Sequence, residues 1–230
     1  MAKVTFGAVV AGARGRVAGI VYSRNQWGNF VRARGTVTNV PSARRSFVRD
    51  NLATLDAVWE TTLTPTQRAA WMNFATAHAL TRTRSSDKQS TGRQGFLKLN
   101  ARLLNAGETY VADPPDDLTV TPLTSLEVSA TAGTPGTMTI TFTPATIPAG
   151  HILEVWASAP RSSARYSFQG HLRWLAAYPA GSTSPLDITA EYSARFGNIT
   201  GPNSYGTGAA LLKIISGSRS QRFEDRTTTS

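Results

Sequence analysis

Met138-Thr139-Ile140-Thr141-Phe142-Thr143 alternates strictly between apolar and polar side chains. Successive side chains of an extended chain point to opposite sides, so this stretch reads as a strand with Met138, Ile140 and Phe142 on a core face and three threonines in water. The same alternation recurs on both sides of it. Leu126, Val128 and Ala130 precede it; Ile152, Glu154 and Trp156, set against Leu153, Val155 and Ala157, follow it. Leu172, Trp174 and Ala176, then Leu186, Ile188 and Ala190, then Leu212 and Ile214 continue the pattern. Six short strands parted by Gly, Pro and Ser turns over about 100 residues predict an antiparallel β-sandwich of immunoglobulin or fibronectin III shape at residues 119–216. Residues 217–230 read as a polar tail, mobile or bound to a partner.

Upstream, Asp113-Pro114-Pro115-Asp116-Asp117 cannot continue a helix and reads as a solvated linker over residues 111–118. Residues 42–110 carry helical spacing instead. Ser42 is a candidate N-cap for a helix with Val48, Leu52, Leu55 and Trp59 on one face, ending near Thr62. Thr64-Pro65-Thr66-Gln67 starts a second helix, because Thr64 and Gln67 have the spacing of a capping box and proline suits the first helical position. Ala70, Trp71, Phe74 and His78 give it a narrow apolar stripe, and the short turn between the two makes an αα-hairpin. A polar, irregular stretch from Thr81 to Thr91 leads to a third helix, Gln94 to Asn105, with Phe96, Leu99, Leu103 and Leu104 inward and Gly107 as its end. The fold class is therefore α+β in two parts.

The first 41 residues differ from both. Val17, Ile20, Val21, Tyr22, Phe30 and Val31 suit strands, and Arg16–Arg24 and Phe30–Val37 flank Asn25-Gln26-Trp27-Gly28-Asn29, which predicts a glycine-rich β-hairpin. Its second strand sets Phe30, Arg32 and Arg34 on one face against Val31, Ala33 and Gly35 on the other. Gly7, Gly12, Gly15, Gly19, Gly28 and Gly35 leave little side-chain volume for a private core, so the segment is expected to pack on another chain.

Charge follows the same division. The chain carries +10 overall, but residues 1–110 hold 16 basic against 5 acidic side chains, and residues 111–230 hold 8 against 9. The first 49 residues have nine basic side chains and no acidic one. Twenty of the 24 basic residues are arginine, whose planar fork grips carboxylate or phosphate and stacks on flat groups, whereas a face tuned only for solubility would mix signs and use more lysine. Arg14, Arg16, Arg24, Arg32 and Arg34, with the aromatic anchors Trp27 and Phe30, are the expected partner- and anion-binding residues. Arg44, Arg45 and Arg49 join them, since they open a helix whose dipole already disfavours cations there and would welcome an anion.

Little in the chain suggests catalysis. Three scattered histidines (His78, His151 and His171), no nucleophile elbow, no cysteine and no calcium-type acidic loop predict a protein that is not an enzyme and needs no cofactor or metal. Gly206-Thr207-Gly208 lacks the third glycine and the helix of a dinucleotide site, and Gly12-Ala13-Arg14-Gly15-Arg16 lacks the Lys-Ser/Thr ending of a phosphate loop. No apolar run reaches the ~20 residues of a membrane span.

The run Gly15-Arg16-Val17-Ala18-Gly19-Ile20-Val21-Tyr22-Ser23-Arg24, continuing to Gly28-Asn29-Phe30-Val31-Arg32-Ala33-Arg34, resembles the start of a class of proteins encoded in tailed bacteriophages and prophages. Leu63-Thr64-Pro65-Thr66-Gln67-Arg68-Ala69-Ala70-Trp71 is similar to a second signature of that class. With Gly95-Phe96 to Gly107 and the Pro-Pro stretch, the resemblance covers residues 7–115. It implies a virion structural protein made in the host cytoplasm: a minor capsid, capsid-decorating, neck or tail component in a symmetric homo-oligomeric assembly. Its expected partners are capsid, portal or tail subunits. Packaged nucleic acid is a further candidate partner. Two alternative readings stand beside the resemblance: a nucleic-acid-binding protein whose N-terminal arginines neutralise phosphates, and, behind it, a host-adhesion or sugar-binding module using the sandwich.

Overall fold

The computed structural model describes residues 2–5, 13–35, 42–78, 91–134, 136–164, 167–168 and 170–229. The chain divides into two units, Met1–Ser42 and Ala43–Ser230, here the arm and the body. Together they are of mixed α+β class, with four α-helices and antiparallel sheets among the described residues.

The arm is a four-stranded antiparallel sheet. Its strands are β1 (Ala2–Lys3), β2 (Gly15–Val17), β3 (Ile20–Asn25) and β4 (Gly28–Ala33), in the order β1-β4-β3-β2. The expected hairpin is its centre, but the run from Arg16 to Arg24 is broken at Ala18-Gly19, where Ala18 takes a positive φ of 50° and the chain turns back. The expected five-residue loop contracts to the turn Gln26-Trp27. Asn25 Oδ1 accepts the Trp27 N–H at 3.0 Å, and Gly28 adopts a φ of 116°, open to glycine without strain. Val37, the expected end of the second strand, lies outside the described residues, as does the polar stretch at residues 81–90.

The body begins with α1 (Ala43–Ala57), whose last turn widens into a π-helical one at Val58–Thr62, closed by the Leu63 N–H donating to Val58 O at 3.0 Å. Leu55 and Trp59 are buried, whereas Leu52 is exposed, so the inward face of α1 is narrower than its spacing suggests. Helix α2 (Pro65–His78) starts with the predicted capping box: the Gln67 N–H donates to Thr64 Oγ1 at 3.2 Å and the Thr64 N–H donates to Gln67 Oε1 at 3.1 Å. Helix α3 (Gly92–Ala106) has a second such box, from Thr91 and Gln94. The three helices converge on Phe96, which is fully buried, with Trp59 and Trp71 ring centroids 5.6 and 5.5 Å from its own.

Residues 111–118, expected as a solvated linker, are packed against these helices. Buried Asn100 accepts the Val111 N–H at 2.7 Å and donates to Val111 O at 3.1 Å, and the Trp71 indole donates to Ala112 O at 2.7 Å. The prolines prevent helix here, and the backbone groups they leave free are taken up by side chains of α2 and α3.

Two antiparallel sheets follow. One has the order β10-β6-β5, from β5 (Ser125–Thr131), β6 (Thr137–Thr143) and β10 (Leu186–Asp187). The other has the order β12-β11-β7-β9, from β7 (His151–Ala157), β9 (Arg173–Tyr178), β11 (Asn203–Lys213) and β12 (Phe223–Thr228); β8 (Arg161–Ser162) also pairs with β11. They enclose one core. Met138, Ile140 and Phe142 of β6 meet Leu153, Val155 and Ala157 of β7 and Tyr205, Ala209 and Leu211 of β11, as the alternation required. The opposite face of β7 and β11 is covered too, because Leu103 of α3 packs on Ile152 and Leu212. Helices and sheets are thus a single unit, where separate helical and sandwich domains were expected.

Three elements depart from the sequence reading. The expected strand at Leu186–Ala190 stops after two residues and gives way to α4 (Thr189–Phe196), whose Tyr192 is buried in the core and donates to Ser158 O at 2.9 Å. Strand β11 runs for 11 residues and includes Gly206 and Gly208, which lie ahead of the strand expected at Leu212 and Ile214; a Cβ on Gly206 would come within 2.5 Å of the Phe168 ring. The tail holds β12, paired with β11 from Ser204↔Thr228 to Ala209↔Phe223. Its alternation was hidden by an inward acid: Asp225 Oδ2 accepts the Val128 N–H of β5 at 2.8 Å and so satisfies an edge strand of the facing sheet.

Candidate partner-binding surface

Register sorts the arm's side chains onto two faces. Arg16 lies opposite Val21, Val21 opposite Arg32, and Phe30 opposite both Lys3 and Ser23, so these residues share one face. Arg34 extends it, because its N–H donates to Gly19 O at 2.8 Å and continues the β3–β4 ladder. Arg16, Arg32 and Arg34 line one cleft of about 790 Å³ with Val21 at its floor. Strand spacing of about 4.8 Å puts the Arg16 and Arg32 backbones roughly 10 Å apart across β3.

The second face holds Val17, Ile20, Tyr22, Val31 and Ala33, with Arg24 and Asn29 at the turn end. Val17 and Ile20 are 65% and 43% exposed. Trp27 stands at the tip of the turn, 75% exposed, and Phe30 is half-buried on the cationic face. Arg14 is exposed just before β2. Not one described residue of the arm is buried.

The structure therefore brings Arg16, Arg32, Arg34 and Phe30 together and sets Arg24 on the other face. The arginines of α1 do not converge. Arg44 turns into the body, where its guanidinium stacks 3.6 Å above the Trp174 ring and donates to Asn105 O at 3.3 Å; burial and nearby Arg195 lower its pKa, partly offset by Glu154. Arg45 and Arg49 stay exposed.

One polar cluster was missed by sequence reading. Glu154, in the middle of β7, is buried on the face turned away from the core, and Arg219 Nε lies 3.2 Å from its Oε2, without the alignment of a hydrogen bond. Burial raises the pKa of this carboxyl, against the pull of Arg219, Arg102 and Arg44. Arg219 and Arg222 stack on Trp156 at 5.0 and 5.6 Å, and Arg102 donates to Gly217 O at 3.3 Å. The Glu154 signal was present, since a lone acid between Ile152 and Trp156 breaks the apolar period of its face. The histidines are dispersed: His78 Nδ1 bonds Phe74 O at 3.0 Å, His151 Nδ1 bonds Ala149 O at 3.0 Å, and His171 Nδ1 meets Arg161 at 2.8 Å. Among the described residues no helix is long and apolar enough to cross a membrane.

No protein-family model, curated protein or solved structure matches the chain. The geometry of the arm and the body carries the functional reading.

Proposed function

We propose that this chain is a structural component of a tailed-bacteriophage particle, in the capsid, neck or tail, and that its arm docks on neighbouring subunits while its body projects from the contact. The observation that carries this reading is the arm's sheet itself. It has strands, register and tight turns, yet no described residue of it is buried and Val17, Ile20 and Trp27 stand in solvent. A sheet of this size needs a second layer to be stable, and a neighbouring subunit is the layer the reading supplies. The phage resemblance of residues 7–115 names the kind of neighbour.

The body fits the same role as an immunoglobulin or fibronectin III-like module. Its orders β5-β6-β10 and β12-β11-β7-β9 correspond to strands A-B-E and G-F-C-C′ of that fold, without the disulfide. Tyr205, near the start of β11, donates to Thr200 O at 2.5 Å and accepts the Thr200 N–H at 2.9 Å, the arrangement of a tyrosine corner. The test is incorporation. A chain lacking residues 1–42 should keep the body's melting transition and be absent from purified particles; its normal incorporation would move the docking surface to the body.

A further inference from the structure

We infer that the arm's cationic face binds the phosphodiester backbone of a nucleic acid, leaving its apolar face for protein. This deepens the reading of the arm as a docking element and rests on it. The two faces differ in kind. Lys3, Arg16, Arg32 and Arg34 share one face, and Val17 and Ile20 belong to the other. A protein surface is usually recognised by paired charges of both signs around an apolar centre. The cationic face has no such mixture, because the first 49 residues contain no acidic side chain. A field of one sign, carried by forked guanidinium groups, suits a polyanion whose charges repeat.

Spacing agrees. Arg32 and Arg34, two residues apart on one strand, are separated by roughly 7 Å, and Arg16 stands a further roughly 10 Å across the sheet. The cleft between them is wide enough for a phosphate and its ribose, at about 790 Å³. Phe30 beside this row is half-buried and offers a flat surface to a sugar or base. Base edges are not read by such a face, so sequence preference should be weak.

The experiment uses the full chain with fluorescently labelled 20-mers, one duplex and one single-stranded oligothymidine, titrated at stepped salt. Affinity for the duplex should fall with a logarithmic slope of about −3 to −4 for four cations, and for the single strand somewhat less steeply. Arg16→Gln, Arg32→Gln and Arg34→Gln together should weaken binding at least about tenfold and reduce the slope by about 2 to 3, while the same three changed to Lys should restore most of both. Val17→Thr with Ile20→Thr should leave DNA binding unchanged and reduce incorporation into particles. The ratio of duplex to single-strand affinity decides which form of backbone the face takes. DNA binding that ignores salt, a Gln triple variant that binds as wild type, or equal affinity for polyglutamate and polyanionic DNA competitors at matched charge in favour of an acidic-protein partner would each overturn the inference. Absence of DNA binding by the unmodified chain, with incorporation still dependent on residues 1–42, would sink this inference alone; incorporation without residues 1–42 would sink the docking reading beneath it.

Discussion

The arm and the body are both built on antiparallel strands, yet only the body's strands make a core. Strand β6 alternates Met138, Ile140 and Phe142 with threonines, and all three apolar side chains are buried against β7 and β11. Strand β3 offers Ile20 and Tyr22 on one face with Val17 beside them, and these stay exposed or half-exposed. The difference is burial: no described residue of the arm is buried, and Gly15 and Gly28 take strand positions that carry no side chain. Alternation makes a strand amphipathic; burial requires something to cover it.

The largest expected effect separating the two regions comes from truncating their apolar groups. Phe96→Ala should cost the body about 3–5 kcal/mol in urea unfolding, because its cavity opens between Trp59 and Trp71. Ile20→Ala in the arm should change the same transition by less than about 0.5 kcal/mol. Equal losses would show that the arm belongs to the body's cooperative unit.

A smaller effect tests how the helices are tied to the sheets. Gly217 has a φ of 63°, and a Cβ there would strike Leu99 O of α3. Gly217→Ala should therefore lower stability by about 1–3 kcal/mol, through both strain and overlap. Asp225→Ala should lower it by about 1–2 kcal/mol, since the Val128 N–H loses its acceptor. Unchanged melting in Asp225→Ala would mean that water satisfies that edge as well as the carboxylate does.

These positions also show what was legible in the sequence. The capping box at Thr64 and Gln67, the core face of β6 and the α3 stripe were readable because each is a local pattern with one physical solution. Strand β12 was not, because its inward Asp225 looks like a solvent residue until the bare N–H of Val128 is placed beside it. The length of β11 was hidden by glycines that exist to admit Phe168 and Leu172, contacts distant in sequence. The two-faced character of the arm was visible in Phe30-Val31-Arg32-Ala33, but the partners across the sheet, Arg16 and Lys3, emerged only from register. Arg44, read as part of an anion site, is drawn inward by Trp174, which nothing near it in sequence announces.

The finest effect is a pH dependence. Burial holds the Glu154 carboxyl above its usual range. A group with a raised folded-state pKa stabilises the fold fully below its unfolded value and gives that contribution up as pH rises through the folded one. Glu154→Gln removes this loss, so its melting temperature relative to wild type should climb as pH rises above the ordinary carboxylate range. A relative melting temperature that falls instead would mean that Arg219, Arg102 and Arg44 together outweigh the burial.

Amide hydrogen exchange on the free chain and on assembled particles tests the division between arm and body most directly. In the free chain the amides of β6, β7 and β11 should be strongly protected and those of β3 and β4 should exchange rapidly, because no described residue of the arm's sheet is buried; in particles β3 and β4 should become protected while the body is unchanged. Protection of β3 and β4 in the free chain equal to that of the body, or their rapid exchange within the particle, would contradict the account.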